Sequence, residues 1–145
     1  MSIPSAGRVI ALDWGEVRLG LALSDETQFL ATPLDTLVRR PGKRFPMPAF
    51  LEHVDRTRPV GILVGLPLTP EGTETESARA ARELAELVAR RTGLPTELLD
   101  ERLTTARAHR EIRAQGGSTR GRREDVDALA AAVLLQNFLD IRRHA

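Results

Sequence analysis

The sequence predicts an α/β fold: a mixed five-stranded sheet, an antiparallel meander followed by parallel strands, flanked by helices. Three observations carry this. Two apolar runs near the start, Val9 to Asp13 and Leu19 to Ser24, are separated by five residues including Gly15, a gap that suits a hairpin. Two later strand-like runs, Val60 to Val64 and Thr96 to Asp100, each follow a stretch of helical period. Strands reached through a helix lie parallel to their neighbours, because a crossover returns the chain to the same end of the sheet.

Taken in order, the first strand is fully apolar until Asp13. The second reads LGLALS. Gln28 to Leu37 supplies the third, with Pro33 arguing for an edge or a bulge because proline has no N–H for a ladder. After the basic loop RRPGKRFPMP, Ala49 to Thr57 reads as a short helix, apolar at Phe50, Leu51 and Val54. VGILV at Val60 to Val64 has no polar face, as in a strand covered on both sides. A longer helix begins near Thr73, which has capping-box spacing to Glu76, and ends at Gly93; Ala81, Leu84, Ala85 and Val88 mark its inner face. After the last strand, Thr104 can cap a helix to Gln115, stopped by Gly116 and Gly117. A final Ala- and Leu-rich helix covers Asp125 to Arg142. With no repeat and no linker, residues 1–145 read as a single domain.

Composition narrows the function. Cysteine is absent, which excludes disulfides and thiolate metal sites. No apolar run approaches the ~20 residues of a membrane span, and the opening MSIPSAGR lacks a signal-peptide core, so a cytoplasmic protein without membrane contact is expected. Net charge is only +1, but of 21 basic residues only Lys43 is lysine. Arginine's planar fork suits phosphate, although a preference for arginine codons accounts for most of this excess. Aromatic residues are one Trp and four Phe, poor material for a base-stacking platform.

Carboxylates recur where open α/β sheets place ligands, at the carboxyl ends of strands. Asp13 ends the first strand, and Asp100 and Glu101 end the last. If those strands are parallel neighbours, the acids meet. Strand period points Asp100 and Glu101 to opposite faces, so one of the two joins Asp13, and spacing does not say which. Asp127 shares a helical stripe with Ala130, Ala131 and Leu134, which should face the sheet. A carboxylate there is costly unless paired, capping or bound to metal. Each acid also has an ordinary role open to it: a turn hydrogen bond for Asp13, a strand-end polar pair for Asp100 and Glu101, the helix dipole for Asp127. Three converging acids without histidine or cysteine form a hard-oxygen site suited to magnesium or manganese rather than zinc. Two such ions ~3.5–4 Å apart serve many nucleases. Gly15 would then leave room for a phosphate beside Asp13.

Four motifs now become recognisable. ALDWGEVRLGLALSD resembles the opening D-x-G-x-x-R-x-G segment of the YqgF family, VGLPLTPEGTE its G-L-P loop, LLDERLTTARA its D-E-R-x-T-T segment, and DVDALAAAVLLQNFLD its final helix. They occur in the family's order over nearly the whole chain. The resemblance implies a ribonuclease H-like fold and a nuclease that matures the 5′ end of pre-16S ribosomal RNA or resolves Holliday junctions. It implies Asp13, Glu101 and Asp127 as the catalytic, metal-binding set for two Mg²⁺ or Mn²⁺ ions, choosing Glu101 over Asp100. Gly65 also matches a family position, and Arg18, Arg102 and Thr105 match positions that would contact substrate. Trp14 has no assigned chemistry.

From Arg107 to Arg123 there are six arginines and one acid, a net charge of +5. Arg120, Arg122 and Arg123, in the glycine-flanked loop, are the substrate-binding candidates, with a solvated basic face the plainer reading of Arg107 to Arg113. The expected partner is nucleic acid, pre-rRNA or branched DNA, bound by a monomer or homodimer; symmetric junction cutting would require the dimer. Two further readings compete. An actin-like nucleotide-binding protein would share the DWGEVRLG loop but needs two such domains. A non-catalytic binding module would not need all three acids.

Overall fold

The computed structural model describes residues 2–15, 18–39, 44–68, 71–103 and 123–144, the last segment without the side chains of 123–125. Strands β1 (Val9–Trp14), β2 (Arg18–Ser24) and β3 (Ala31–Val38) lead to helix α1 (Met47–Thr57). Then come β4 (Gly61–Leu66), α2 (Glu76–Thr92), β5 (Thr96–Asp100), a 3-10 turn at Glu101–Leu103, and α3 (Arg123–Arg143). The sheet order is β3-β2-β1-β4-β5. β1 to β3 form the antiparallel meander, and β4 and β5 run parallel to β1, as expected. The condition under which the strand-end acids would meet directly is not met: β1 and β5 are not neighbours, because β4 lies between them.

Side-chain alternation divides the interior into two layers. Ile10, Leu12, Leu19, Leu21, Ile62, Val64 and Leu66 face α1 and α2, where Phe50, Ala81 and Val88 are buried against them. Val9, Ala11, Ala22, Leu63 and Leu99 face α3, under Ala131, Leu135, Phe138 and Leu139. A fully buried leucine such as Leu135 contributes about 2–3 kcal/mol of apolar transfer, so each layer is strongly held. No described helix is long and apolar enough to cross a membrane.

Pro33 proves to mark both an edge and a bulge. β3 is the outer strand, and Leu21 faces Asp35 while Ala22 faces Pro33, leaving Leu34 as the extra residue. Helix α1 begins at Met47, earlier than expected, because proline is tolerated in a helix's first turn. The cap of α2 is Thr75, whose hydroxyl accepts from the Ala78 amide at 3.4 Å, and not Thr73. Glu74 is held in a bridge with Leu68, so the helix cannot start earlier. Gly93 closes α2 in a left-handed conformation with φ 72°. The expected helix from Thr104 to Gln115 lies outside the described residues.

Candidate active site

Asp13 continues the Val9, Ala11 row of β1, so its side chain projects toward α3 where the apolar layer ends. Its two neighbours across the sheet lack side chains. Gly20 of β2 is its antiparallel partner, and Gly65 of β4 lies one residue beyond the Leu12–Val64 pair. These glycines make the site. A methyl group at Gly20 would stand 1.8 Å from the carbonyl oxygen of Asp127, so α3 rests directly on the β2 backbone. A methyl at Gly65 would stand 2.6 Å from Oε1 of Glu101, so that side chain lies across β4.

This resolves how acids on non-adjacent strands meet. β1 and β5 are about 9.6 Å apart, two inter-strand spacings. Glu101 follows β5 in the 3-10 turn, where strand alternation no longer applies, and reaches over Gly65 to hydrogen-bond Asp13. Burial pushes the Asp13 carboxyl well above the usual carboxylate range; the charge of Glu101, its hydrogen bond and the charge of Asp127 push the same way. The raised Asp13 carboxyl records a concentration of negative charge that a cation would offset.

Asp127 approaches from α3 but is turned aside. Its Oδ2 accepts from Nε of Arg18 at 2.7 Å, both side chains being about one-third exposed. Among the described residues, therefore, no three acidic or histidine side chains form a ready cation cage. The donors themselves, carboxylate oxygens only, suit a hard divalent cation, and the Asp13–Glu101 pair marks where positive charge is needed. The residues fit such a group once Arg18 yields Asp127.

Asp100 is occupied elsewhere. It takes the Arg102 guanidinium in a fork, from Nε at 3.0 Å and Nη2 at 2.7 Å, and also the Arg102 amide at 2.9 Å. The pairing lowers the Asp100 carboxyl from its usual range. Gly72, at φ 85°, accommodates this guanidinium: a Cβ there would lie 3.1 Å from Nη1. Arg102 thus ties the end of β5 to the loop after β4. Gly15 also differs from expectation. A Cβ on it would fall 2.4 Å from the Arg18 carbonyl, so the space is filled by the chain's own turn rather than left for phosphate. Trp14 faces the other layer, with its ring 6.1 Å from Phe45 and the Arg39 guanidinium 4.0 Å from its centre. Arg39 also donates to the Gly15 carbonyl at 3.1 Å, a brace on the Asp13 turn that no sequence pattern signalled. Thr105, Arg120 and Arg122 lie outside the described residues, as does the side chain of Arg123.

Comparison with known proteins agrees with this architecture. Residues 7–141 match the family model described as "RuvX: Holliday junction resolvase". A protein of Anaeromyxobacter sp. (strain Fw109-5), named "Putative pre-16S rRNA nuclease", is 45% identical over 138 residues, covering 95% of this chain and 99% of that one. One of the same name from Koribacter versatilis is 40% identical over 144 residues, covering 98% and 94%. Among solved structures, Thermus thermophilus RuvC in complex with a Holliday junction substrate superposes with a TM-score of 0.59 at 17% identity, over 93% of this chain and 96% of that one. At that identity the likeness speaks for the ribonuclease H-like fold. With the family model spanning most of the sequence and close relatives matching nearly end to end, the chain belongs to the RuvX (YqgF) family.

Proposed function

We propose that this protein is an endonuclease that hydrolyses phosphodiester bonds in structured nucleic acid with a divalent metal, and that its substrate is the 5′ end of pre-16S ribosomal RNA. The carrying observation is the half-buried Asp13–Glu101 carboxyl pair at the carboxyl end of the sheet, with Asp127 beside it. The RNA substrate rests on the relatives matched over nearly their full length. A single domain acting in the cytoplasm, where ribosome precursors are processed in bacteria, is consistent with both.

Asp13 and Glu101 would hold Mg²⁺ or Mn²⁺, with Asp127 completing the oxygen set for one ion or two. When bound, such a cation activates water and stabilises charge on the leaving oxygen of a phosphodiester. The protein's own residues prepare for it. Asp13 and Glu101 would face it as carboxylates, with their oxygens as its ligands. Arg18, which holds Asp127 in this structure, would release it to the cation and could then pair with a substrate phosphate. Arg102, held by Asp100, fixes the β4 loop beside the site rather than gripping substrate through an uncommitted charge. Thr105, Arg120, Arg122 and Arg123 would contact the nucleic acid beyond.

A second reading, Holliday junction resolution, is favoured by the description of the family model. It requires two sites and therefore a dimer. The test is cleavage of end-labelled 5′-extended pre-16S RNA beside a synthetic four-way DNA junction, with magnesium, manganese or chelator, for wild type and Asp13→Asn. Metal-dependent cutting of the RNA alone, lost in the variant, is expected. Symmetric cutting of the junction alone would replace the RNA reading, and cutting of neither would refute the nuclease assignment.

A further inference from the structure

At the opposite end of the sheet from the acids lies a cleft of about 610 Å³. Its walls are Ala6, Gly7 and Arg8 before β1, Glu26 in the β2–β3 turn, Arg56 to Arg58 at the end of α1, and Val60 before β4. Three arginines and one glutamate face it, a net charge of +2. Among the described residues, the guanidinium groups of Arg8 and Arg58 have no hydrogen-bond or ion-pair partner.

Three features show that the cleft is built. Arg58 caps α1 in the left-handed conformation, with φ 49°. Glycine or asparagine suits that position, and other side chains are disfavoured there. An arginine therefore stands where the backbone disfavours it. Arg56, next, is held from behind. Its Nη2 lies 2.9 Å from Nδ1 of His53, and Nε2 of His53 lies 2.8 Å from Oδ2 of Asp35. A guanidinium only donates, so Nδ1 accepts and Nε2–H donates to the carboxylate. His53 is buried, and the relay from β3 through α1 orients a guanidinium that would otherwise be free to swing. The floor is fixed as well. Gly7, at φ 104°, packs on Val60 where a Cβ would clash at 2.4 Å, and Gln28 donates to the Pro4 and Gly7 carbonyls at 2.8 and 2.9 Å.

We propose that this cleft is a second nucleic-acid contact, in which Arg8, Arg56 and Arg58 grip backbone phosphates of the substrate at a distance from the bond being cut. The inference rests on the nucleic-acid reading of the protein. Arg8 precedes Asp13 by five residues of one extended strand, which sets the two sites roughly 17 Å apart. That distance suits a structured substrate folded over the sheet's end-to-end length, and it leaves the cleft free to act as an anchor that does not touch the chemistry.

The test is binding of a 5′-extended pre-16S RNA fragment in chelator, so that nothing is cut, across a series of salt concentrations. Arg8→Gln combined with Arg58→Gln should flatten the slope of log affinity against log salt by about 1.4 and weaken binding about 25-fold at 0.1 M salt. The control, Arg90→Gln with Arg91→Gln at the exposed end of α2, removes the same charge and should change the slope little. An unchanged slope in the first double variant, or an equal change in the control, would overturn the proposal. Metal-dependent cleavage by the same preparations separates the two readings. A wild type that cuts RNA while its cleft variant keeps the full slope loses only the cleft. A flattened slope in a protein that cuts nothing keeps the cleft and loses the nuclease. A wild type that neither binds nor cuts loses both.

Discussion

Gly20→Ala tests how the third acid is placed. The added methyl would stand 1.8 Å from the Asp127 carbonyl oxygen and 2.5 Å from its carbonyl carbon, whereas ordinary contact begins near 3.4 Å. β2 and α3 must therefore part by about 1.6 Å at this point. Neither partner can swing away, since both are backbone held in a ladder or a helix. Overpacking of this kind costs about 1–3 kcal/mol, and a backbone-on-backbone clash belongs at the upper end. For a domain of this size, 3 kcal/mol lowers Tm by about 6–12 °C. The loss of function should be larger than that suggests. Asp127 is carried on the displaced turn, and a shift of about 1 Å in a catalytic group costs roughly 100-fold in rate. Cleavage measured well below the variant's own Tm, beside a thermal melt, separates the two effects. The expected result is a folded protein that melts early and cuts at least 100-fold more slowly. A variant with wild-type Tm and wild-type cleavage would refute the claim that this close approach sets the site.

Asp13→Asn should abolish cleavage yet raise the Tm of the metal-free protein at neutral pH. The folded Asp13 carboxyl holds its proton above its unfolded value of 3.8, so its contribution to stability is lost as pH rises through the folded value; asparagine removes that slope in a Tm-against-pH series. Arg18→Gln should lower stability by no more than about 1 kcal/mol, because the ion pair is partly exposed, and should tighten divalent-metal binding by calorimetry as Asp127 is freed, while cleavage falls. Weaker metal binding would mean Arg18 supports the site rather than competing for it. Asp25, which accepts the Phe29 and Leu30 amides and the Thr27 hydroxyl, is held at about 2 in the folded protein against 3.8. Its contribution to stability is present above 3.8 and lost as pH falls through about 2, so Asp25→Asn should flatten the acid limb of a stability curve in that window. An unchanged acid limb would remove the turn from the account.

Much of this architecture was legible in one dimension. Asp13 announced itself as a lone charge at the end of an apolar strand, and Pro33 marked an edge or a bulge, both of which β3 has. The order of strands was less accessible. Period and spacing say that β4 and β5 run parallel to β1, but not that β4 separates the other two. That insertion changes what the site requires: a long acid and a residue without a side chain in the path between. Glu101 and Gly65 satisfy both, and strand alternation could not choose Glu101 because a 3-10 turn begins there. Thr73 misled because capping spacing is local, while the Leu68–Glu74 bridge that displaces the helix start is not. The Arg18–Asp127 contact joins residues 109 positions apart and left no trace in any motif, since each residue was assigned a separate partner.

The strand that separates the two acids also governs when activity can arise as the chain is synthesised. Asp13 emerges early, but its companion sits beyond two crossovers, and the third acid is carried by the last helix. None of the earlier segments can assemble a pair of carboxylates by itself. A partly made chain therefore emerges from the ribosome without the three acids assembled, and they come together only when the final helix settles onto Gly20. Under the proposed function, such timing withholds cleavage of ribosomal RNA from an unfinished chain, a safeguard written into topology.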